Sequence, residues 1–386
     1  MGHYLHLGLG IGWRPELALA IDRRQQRHRD LGFVELLAEH VDPRRPLPAA
    51  LRNLHERGVR IVVHSIGLSL GGAAPVDQRR LDRLARVAEW AGASCISDHV
   101  AFVRAGGHDS GHLLPVPRTE AALAVLCENV TRAQAALPLP LALENIATLF
   151  DWPEATMDEP EFLGRLTAAT GARLIVDVSN LHASARNLGV DPRAWLARVP
   201  LERIAYAHVG GGIARGELWH DTHAHRVPIE ALALLRDLAR RASLPGAMLE
   251  RDDHFPEEAE INRELDAIAA AMRPQDGLDA LEAGSRGREL GGEQQGRGRA
   301  PVSCFVPPVA SIDTAALAAA QAHLVGALVA GQPNPAGFDA GRLAVESDML
   351  RARRRRIAAG AGRRLDRAGA LRDRFVGWVR RRSRIL

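Results

Sequence analysis

Cysteine is scarce in this chain. Cys95, Cys127 and Cys304 are spread over 386 residues, and none forms a CxxC pair. That spacing excludes a disulfide framework and disfavours a zinc ribbon or an iron–sulfur site. It fits a reducing, cytoplasmic compartment. Lysine is missing altogether: every basic residue is arginine, which reads as a nucleotide-composition bias rather than a binding adaptation. No continuous apolar run reaches about 18 residues, so no membrane helix is expected. The N-terminal MGHYLHLGLG has no basic region ahead of its apolar run, which argues against a secretory signal. GLGIGW near the N-terminus lacks the full GxGxxG spacing and a partnering acidic strand end, which sets aside a dinucleotide loop.

What is present is ordinary for a globular protein, with 46% hydrophobic and 25% charged residues. The net charge of +4 hides an asymmetry. Residues 351–386 hold fourteen Arg against Asp366 and Asp373, so the remainder is net acidic. Up to about Arg273, apolar runs alternate with helical patterns. HLGLGIG, FVELLAE, VRIVVHS, CISDHVAF, LALEN, RLIVDVSN, IAYAHVG and AMLERDD read as strands. Stretches such as QRRLDRLARVAEWAG and PIEALALLRDLARRAS between them have apolar spacing near 3.6, and several are bounded by Pro or Asp and by Gly. Eight such alternations predict an α/β fold, a closed (β/α)8 TIM barrel over residues 1–273. A doubly wound open sheet is the alternative. It is weakened because metal-type residues recur at nearly every strand end, whereas an open sheet gathers ligands at one switch point.

Residues 274–301 are rich in Gly, Gln and charge and read as a flexible linker. Residues 302–386 read as a small basic helical appendage, too short and Arg-rich to bury a large core alone. IDTAALAAAQAHLVGALVAG is its strongest helix, with Asp313 a cap.

The informative pattern is where the ligand-type residues fall. His64 ends IVVH, His99 ends CISDH, Glu144 ends LALE, Asp177 ends LIVD, and His208 closes IAYAH. Asp221 and His223 stand in HDTHAH, and Glu250 ends AMLE. In a barrel all strand C-termini face one end, so these residues converge. Histidines with carboxylates suit iron, manganese or zinc. A single zinc needs only three or four protein ligands, so eight candidates point to two or three metals bridged by carboxylates such as Glu144 or Glu250. Each residue alone has a plainer reading. Any one histidine can be a hydrogen-bonded core residue, Asp177 can cap a helix, and the Asp221–His223 segment can be plain loop. The succession carries the signal. His182 is a further ligand candidate. His225 and His220 are candidate outer contacts to ligands or substrate. His108, His112 and His254 read as loop residues.

The stretches LGLGIGWRPELA, VHSIGLSLGG, SDHVAF, HLLPVPRTEAAL, LENIATLF, DVSNLHASARNLG, AHVGGG, DTHAHRVP and LERDDHFP carry a resemblance. The chain resembles the multinuclear non-haem iron-dependent oxidase family, once a domain of unknown function, over about residues 3–272. Family members include the enzymes that build the copper-chelating groups of methanobactin. The resemblance implies a xylose isomerase-like barrel holding two or three irons, as a mixed Fe(II)/Fe(III) cluster, with dioxygen as cosubstrate. The implied ligands are His64, His99, Glu144, Asp177, His208, Asp221, His223 and Glu250. Asn145 and Asn180, in the LEN and DVSN motifs, become candidate orienting groups. Two departures stand out: Ser179 replaces a second Asn after Asp-Val, and Leu188 stands where the family often has His. His182 would then replace that histidine, or the site would hold two irons.

The implied activity is oxidation of a cysteine in a ribosomally made precursor peptide. The rivals are a zinc- or manganese-dependent hydrolase or isomerase on the same barrel, and a metal-binding protein without turnover. Residues 104–113 could lie over the barrel mouth as a lid or peptide contact. The Arg-rich end has three readings: a solvated helical face, a dock for the precursor or a leader-binding partner protein, and, disfavoured, nucleic-acid binding. The last is weakened because Phe375 and Trp378 are its only interleaved aromatics.

Overall fold

In the computed structural model, residues 6–273 and 314–355 are described. Twelve strands run in order: β1 (Gly8–Gly12), β2 (Leu31–Leu37), β3 (Arg60–His64), β4 (Cys95–His99), β5 (Ala101–Ala105), β6 (His108–Pro115), β7 (Leu141–Glu144), β8 (Arg173–Asp177), β9 (Ile204–Val209), β10 (Gly212–Arg215), β11 (Leu218–Asp221) and β12 (Gly246–Leu249). Eight close into a parallel barrel in the order β1-β12-β9-β8-β7-β4-β3-β2. Each of the eight expected runs supplies one barrel strand. The others form two antiparallel hairpins, β5–β6 and β10–β11, both at the mouth side of their barrel strands.

Helices follow the strands as their end signals predict. The Asp77 side chain accepts from Arg79 N to start Gln78–Ala91, Thr119 starts Glu120–Ala136, and Asp158 starts Glu159–Thr170. Their apolar faces pack against the outward strand residues, including Ile61, Val63, Leu141, Leu143, Leu174 and Val176, in one continuous core. Each such side chain, fully buried, contributes about 1.5–3 kcal/mol. The inward residues make a separate cluster inside the barrel: Phe33, Val62, Cys95, Ala142, Ile175, Tyr206 and Met248.

This division fixes the site. Side chains alternate along a strand, so the residue two places on points the same way. Two after Val62 is His64, after Ala142 Glu144, after Ile175 Asp177, after Tyr206 His208, and after Met248 Glu250. His99 stands four after Cys95. The apolar plug at the barrel's base and the polar ring at its mouth are consecutive layers of one alternation.

Residues 104–113, expected over the barrel mouth, lie in the β5–β6 hairpin, which turns at Gly106 and Gly107 with φ of 58° and 78° and lends Asp109, Gly111 and His112 to the cavity wall. It is a docking surface. The helix Thr314–Ala330 and the helical residues 340–355 pack on it, and Leu324, Leu328, Leu343 and Leu350 join Phe102, Leu114, Phe150 and Trp152 in a second core. Gln321 is the polar anchor. Wholly buried, it donates to Gly71 O at 2.8 Å and accepts from Ala73 N at 2.8 Å. The expected linker 274–301, the Asp313 cap and the arginine-rich residues after 355 lie outside the described residues.

Gln321→Ala strands the half-buried Ala73 N–H and the buried Gly71 C=O. It is expected to lower stability by about 2–4 kcal/mol, measured by urea unfolding against the wild type.

Candidate metal centre

His64, His99, Glu144 and Asp177 are each the last residue of their strand; His208 is the last but one of β9, and Glu250 directly follows β12. The ladder sets His99 opposite Glu144 and Asp177 opposite His208. All six are at most 5% exposed. Asp221 ends β11 in the hairpin after β9, and His223 follows it at φ 48°. The hairpin approaches closely because Gly210 has no side chain: a Cβ there would lie 2.7 Å from His223 Cδ2. Gly211 and Gly212 likewise sit where a Cβ would meet the returning chain, against His225 O and His220 O.

Glu144 Oε2 is the hub. It lies 3.5 Å from Nε2 of His64, 3.5 Å from Nε2 of His99 and 3.2 Å from Nδ1 of His208. Glu250 makes a second hub, with Oε2 3.2 Å from His208 Nδ1 and Oε1 3.3 Å from His223 Nδ1. Asp221 Oδ2 is 2.6 Å from His223 Nε2. Yet Glu144 Oε2, Glu250 Oε2, Asp177 Oδ2, Asp221 Oδ1 and His208 Nδ1 are buried without a hydrogen-bond partner. Each such atom costs about 1–3 kcal/mol, and Glu144, Asp177, His208 and Glu250 stand in one ligand group.

A cation answers them. Two ligands about 2.0–2.2 Å from one ion, at octahedral or tetrahedral angles, lie about 3.0–3.5 Å apart. The N···O distances of 3.2–3.5 Å around Glu144 and Glu250 have that spacing. Three ligand groups emerge: His64, His99 and Glu144; then Glu144, Asp177, His208 and Glu250; then His223, Glu250 and Asp252. Glu144 belongs to the first two and Glu250 to the last two. The residues therefore fit a polynuclear site with shared carboxylates, made of N and O donors without sulfur.

An outer layer aims these atoms. Glu35 Oε2 accepts from Tyr206 OH at 2.7 Å and lies 2.9 Å from His208 Nε2, leaving His208 Nδ1 toward the cluster. Ser97 Oγ is 2.8 Å from His64 Nδ1, leaving Nε2 inward. Asp177 does two jobs. Its Oδ1 caps the next helix by accepting from Ser179 N and Asn180 N, while Oδ2 stays bare. The cap and ligand readings of Asp177 are therefore compatible. Asn145 pairs with the backbone N and O of Asp177, and Asn180 donates to Glu144 Oε1 at 3.3 Å. Ser179 Oγ donates to Gly210 O and accepts from Gly210 N, tying the start of that helix to the end of β9.

Without a cation the ring redistributes protons. Burial, then the charges of Glu144 and Asp221, push the Asp177 carboxyl up to about 8. Burial lowers His208 and His223, but carboxylates outweigh it, Glu144 and Glu35 for one and Asp221 and Glu250 for the other, so both are raised well above the usual range. Burial would raise Glu250, yet His223 and His208 hold it well below an ordinary carboxyl. Burial and the neighbouring His64 keep His99 neutral.

Two expected participants stand apart. The His182 ring lies edge-on to Trp219, 5.0 Å between centroids, and joins none of the three ligand groups. His225 Nδ1 is 2.7 Å from Thr222 Oγ1 and its ring faces His254. Two residues were missed. Glu35 is the lone charge inside FVELL and shares the inward parity of Phe33; that signal could have found it. Asp252, two after Glu250, reaches the third group, 3.6 Å from His223 Nδ1, and is ion-paired to Arg14. Above the cluster is a cavity of about 480 Å³ whose wall includes His112, Trp219 and His220 from the hairpins and Glu346, Met349 and Arg353 from the C-terminal helix.

The model of the MbnB/TglH/ChrH RiPP precursor modification enzymes matches residues 8–273, and that of the SCO6045-like C-terminal domain matches residues 318–385. A UPF0276 protein of Streptomyces avermitilis is 45% identical over 389 aligned residues, covering 92% of this chain and 79% of its own length. A UPF0276 protein of Caulobacter vibrioides is 36% identical, covering 68% and 93%. Among solved structures, a xylose isomerase domain containing protein of Salmonella typhimurium LT2 aligns with a TM-score of 0.47 at 13% identity, over 70% of this chain and 99% of its own.

Burial pushes the thiols of Cys95 and Cys127 up to about 12. At pH 8 only on the order of one in ten thousand of each is thiolate. Peptide mapping after iodoacetamide treatment is expected to show both alkylated at least about 100-fold more slowly in the native protein than in urea.

Proposed function

We propose that this chain, which belongs to the MbnB/TglH/ChrH family of RiPP precursor modification enzymes, uses iron and dioxygen to oxidise a cysteine of a ribosomally made precursor peptide. The observation that carries this reading is the pair of shared carboxylates. Glu144 and Glu250 each stand between two ligand groups with buried, unpartnered oxygens, an arrangement suited to neighbouring ions acting together.

His64 and His99 with Glu144 would hold one ion; Asp177, His208 and the inner faces of Glu144 and Glu250 a second; His223 and Asp252 with Glu250 a third. Asp221, 2.6 Å from the opposite nitrogen of His223, would hold that ring in place for the third ion. Bound there, iron supplies a Lewis acid for the substrate thiolate and electrons for dioxygen. The protein's own contribution is placement. Glu35 fixes the tautomer of His208, and Asn180 holds the Glu144 carboxylate so that Oε2 stays inward. Cys95 and Cys127 keep their protons and do not compete with a substrate thiol. The cavity, at about 480 Å³, has the size of a small-ligand pocket and admits a peptide side chain with its neighbours.

Protein purified without oxygen is expected to carry two or three irons per chain by elemental analysis. Glu144→Gln and Glu250→Gln are each expected to lose at least one of them. Oxygen uptake should appear when a cysteine-containing precursor is added. Protein holding two or more irons that consumes no oxygen with such peptides, or that turns over as well with zinc in the absence of oxygen, sinks this reading. Glu35→Gln, which touches His208 but no ion, is expected to weaken iron binding about 10–100-fold, measured by competition with a chelator.

A further inference from the structure

The cavity above the cluster is walled on one side by the far end of the chain. Helical residues 340–355 present Glu346, Met349 and Arg353 to the space that His64, His99 and Glu250 line from the barrel. The helix is held there by packing, since Leu343 and Leu350 sit in the core with Phe102, Leu114 and Trp152. Two of its cavity residues already have partners. Met349 Sδ is 3.0 Å from His220 Nδ1, and Arg353 Nη1 is 3.1 Å from His112 Nδ1.

Glu346 is different. It is 5% exposed, lines the cavity, and its Oε1 has no hydrogen-bond partner. Burial alone pushes its carboxyl up to about 7, with no neighbouring charge contributing. A buried acid with nothing to answer it is destabilising in the empty enzyme. It is also outside the metal-type groups, so no ion there would satisfy it.

We propose that Glu346 forms a specificity subsite for a cationic side chain, arginine or lysine, of the peptide substrate, beside the residue that reaches the histidine–carboxylate cluster. The subsite rests on the peptide reading above. A cation entering this wall meets a carboxylate screened from water, where a charge-assisted hydrogen bond is about twice as strong as a neutral one. A neutral amide would leave the buried charge uncompensated. The C-terminal unit would thus choose among substrates.

The test uses the full-length, iron-loaded protein kept free of oxygen, so that binding is read without turnover. The probes are fluorescein-labelled heptapeptides with one central cysteine in an alanine–serine background. A single arginine is walked from three places before the cysteine to three after, with glutamine at the same places as the neutral arm. Binding is measured by anisotropy. One arginine position is expected to tighten binding at least about tenfold over the arginine-free peptide, and glutamine there is not. Glu346→Gln and Glu346→Met should each erase that gain and leave the arginine-free peptide within about twofold. Asp348→Asn, on the same helix but outward, should keep it. Melting temperatures no lower than wild type certify the fold, because either Glu346 substitution removes a buried unpartnered acid. An arginine preference that survives both substitutions, or no preference at all while the arginine-free peptide binds, overturns the subsite alone. Failure of every cysteine peptide to bind the wild type overturns the peptide reading as well.

Discussion

Glu144 and Glu250 carry negative charge into a nearly closed space at the floor of the cavity. An isolated buried carboxylate is costly by several kcal/mol even after relaxation, and here two converge on His208 Nδ1. The arrangement is stable only if positive charge is supplied between them. Protons can do it in part, which is why Asp177, His208 and His223 are all driven to hold theirs. Metal ions do it better, because one ion satisfies several lone pairs without needing a donor hydrogen on each. Much of the remaining barrel serves this demand. The Tyr206–Glu35–His208 chain, the Ser97–His64 contact and the Asn145 clamp on the Asp177 backbone all turn bare atoms inward.

The apolar part of the barrel makes that ring tolerable. Inside, Phe33, Ile175, Tyr206 and Met248 fill the lower layers, so the polar layer rests on a packed plug. Outside, the helices bury the opposite face of every strand. The strained layer is therefore clamped from below and around, and it is open only upward, to the cavity. There the β5–β6 hairpin and the C-terminal helices replace solvent with a second, smaller core. The appendage closes the same mouth that the strand ends build.

Legibility followed the range of the interactions. The alternation of apolar runs and 3.6-period stretches is local, and all eight barrel strands lay where those runs stand. The strand-end positions of His64, His99, Glu144 and Asp177 were legible for the same reason. Glu35 was readable in principle, as a lone charge of inward parity, but it lies mid-strand where a ligand pattern does not look. Asp252 was hidden beside Glu250 in a charged cluster. His182 misled because distance along the chain said nothing of the helix face it occupies. That the β5–β6 hairpin also carries the C-terminal unit was not legible, because its partner, the helix Thr314–Ala330, comes about 200 residues later in sequence.

Strand-end position is written in the local apolar pattern, because the period of a strand is a property of the backbone and needs no partner. The residues at the strand ends are histidines and carboxylates without cysteine, which sets the kind of ion they suit. Only the tertiary structure decided how they group. Sharing of Glu144 and Glu250 depends on the stagger between neighbouring strands and on closure of the sheet, which bring β3, β4, β7, β9 and β12 to one point. It alone decided that Glu346 belongs to this cavity, because the contact is made by packing across the second core. Packing over that separation has no signature in local pattern.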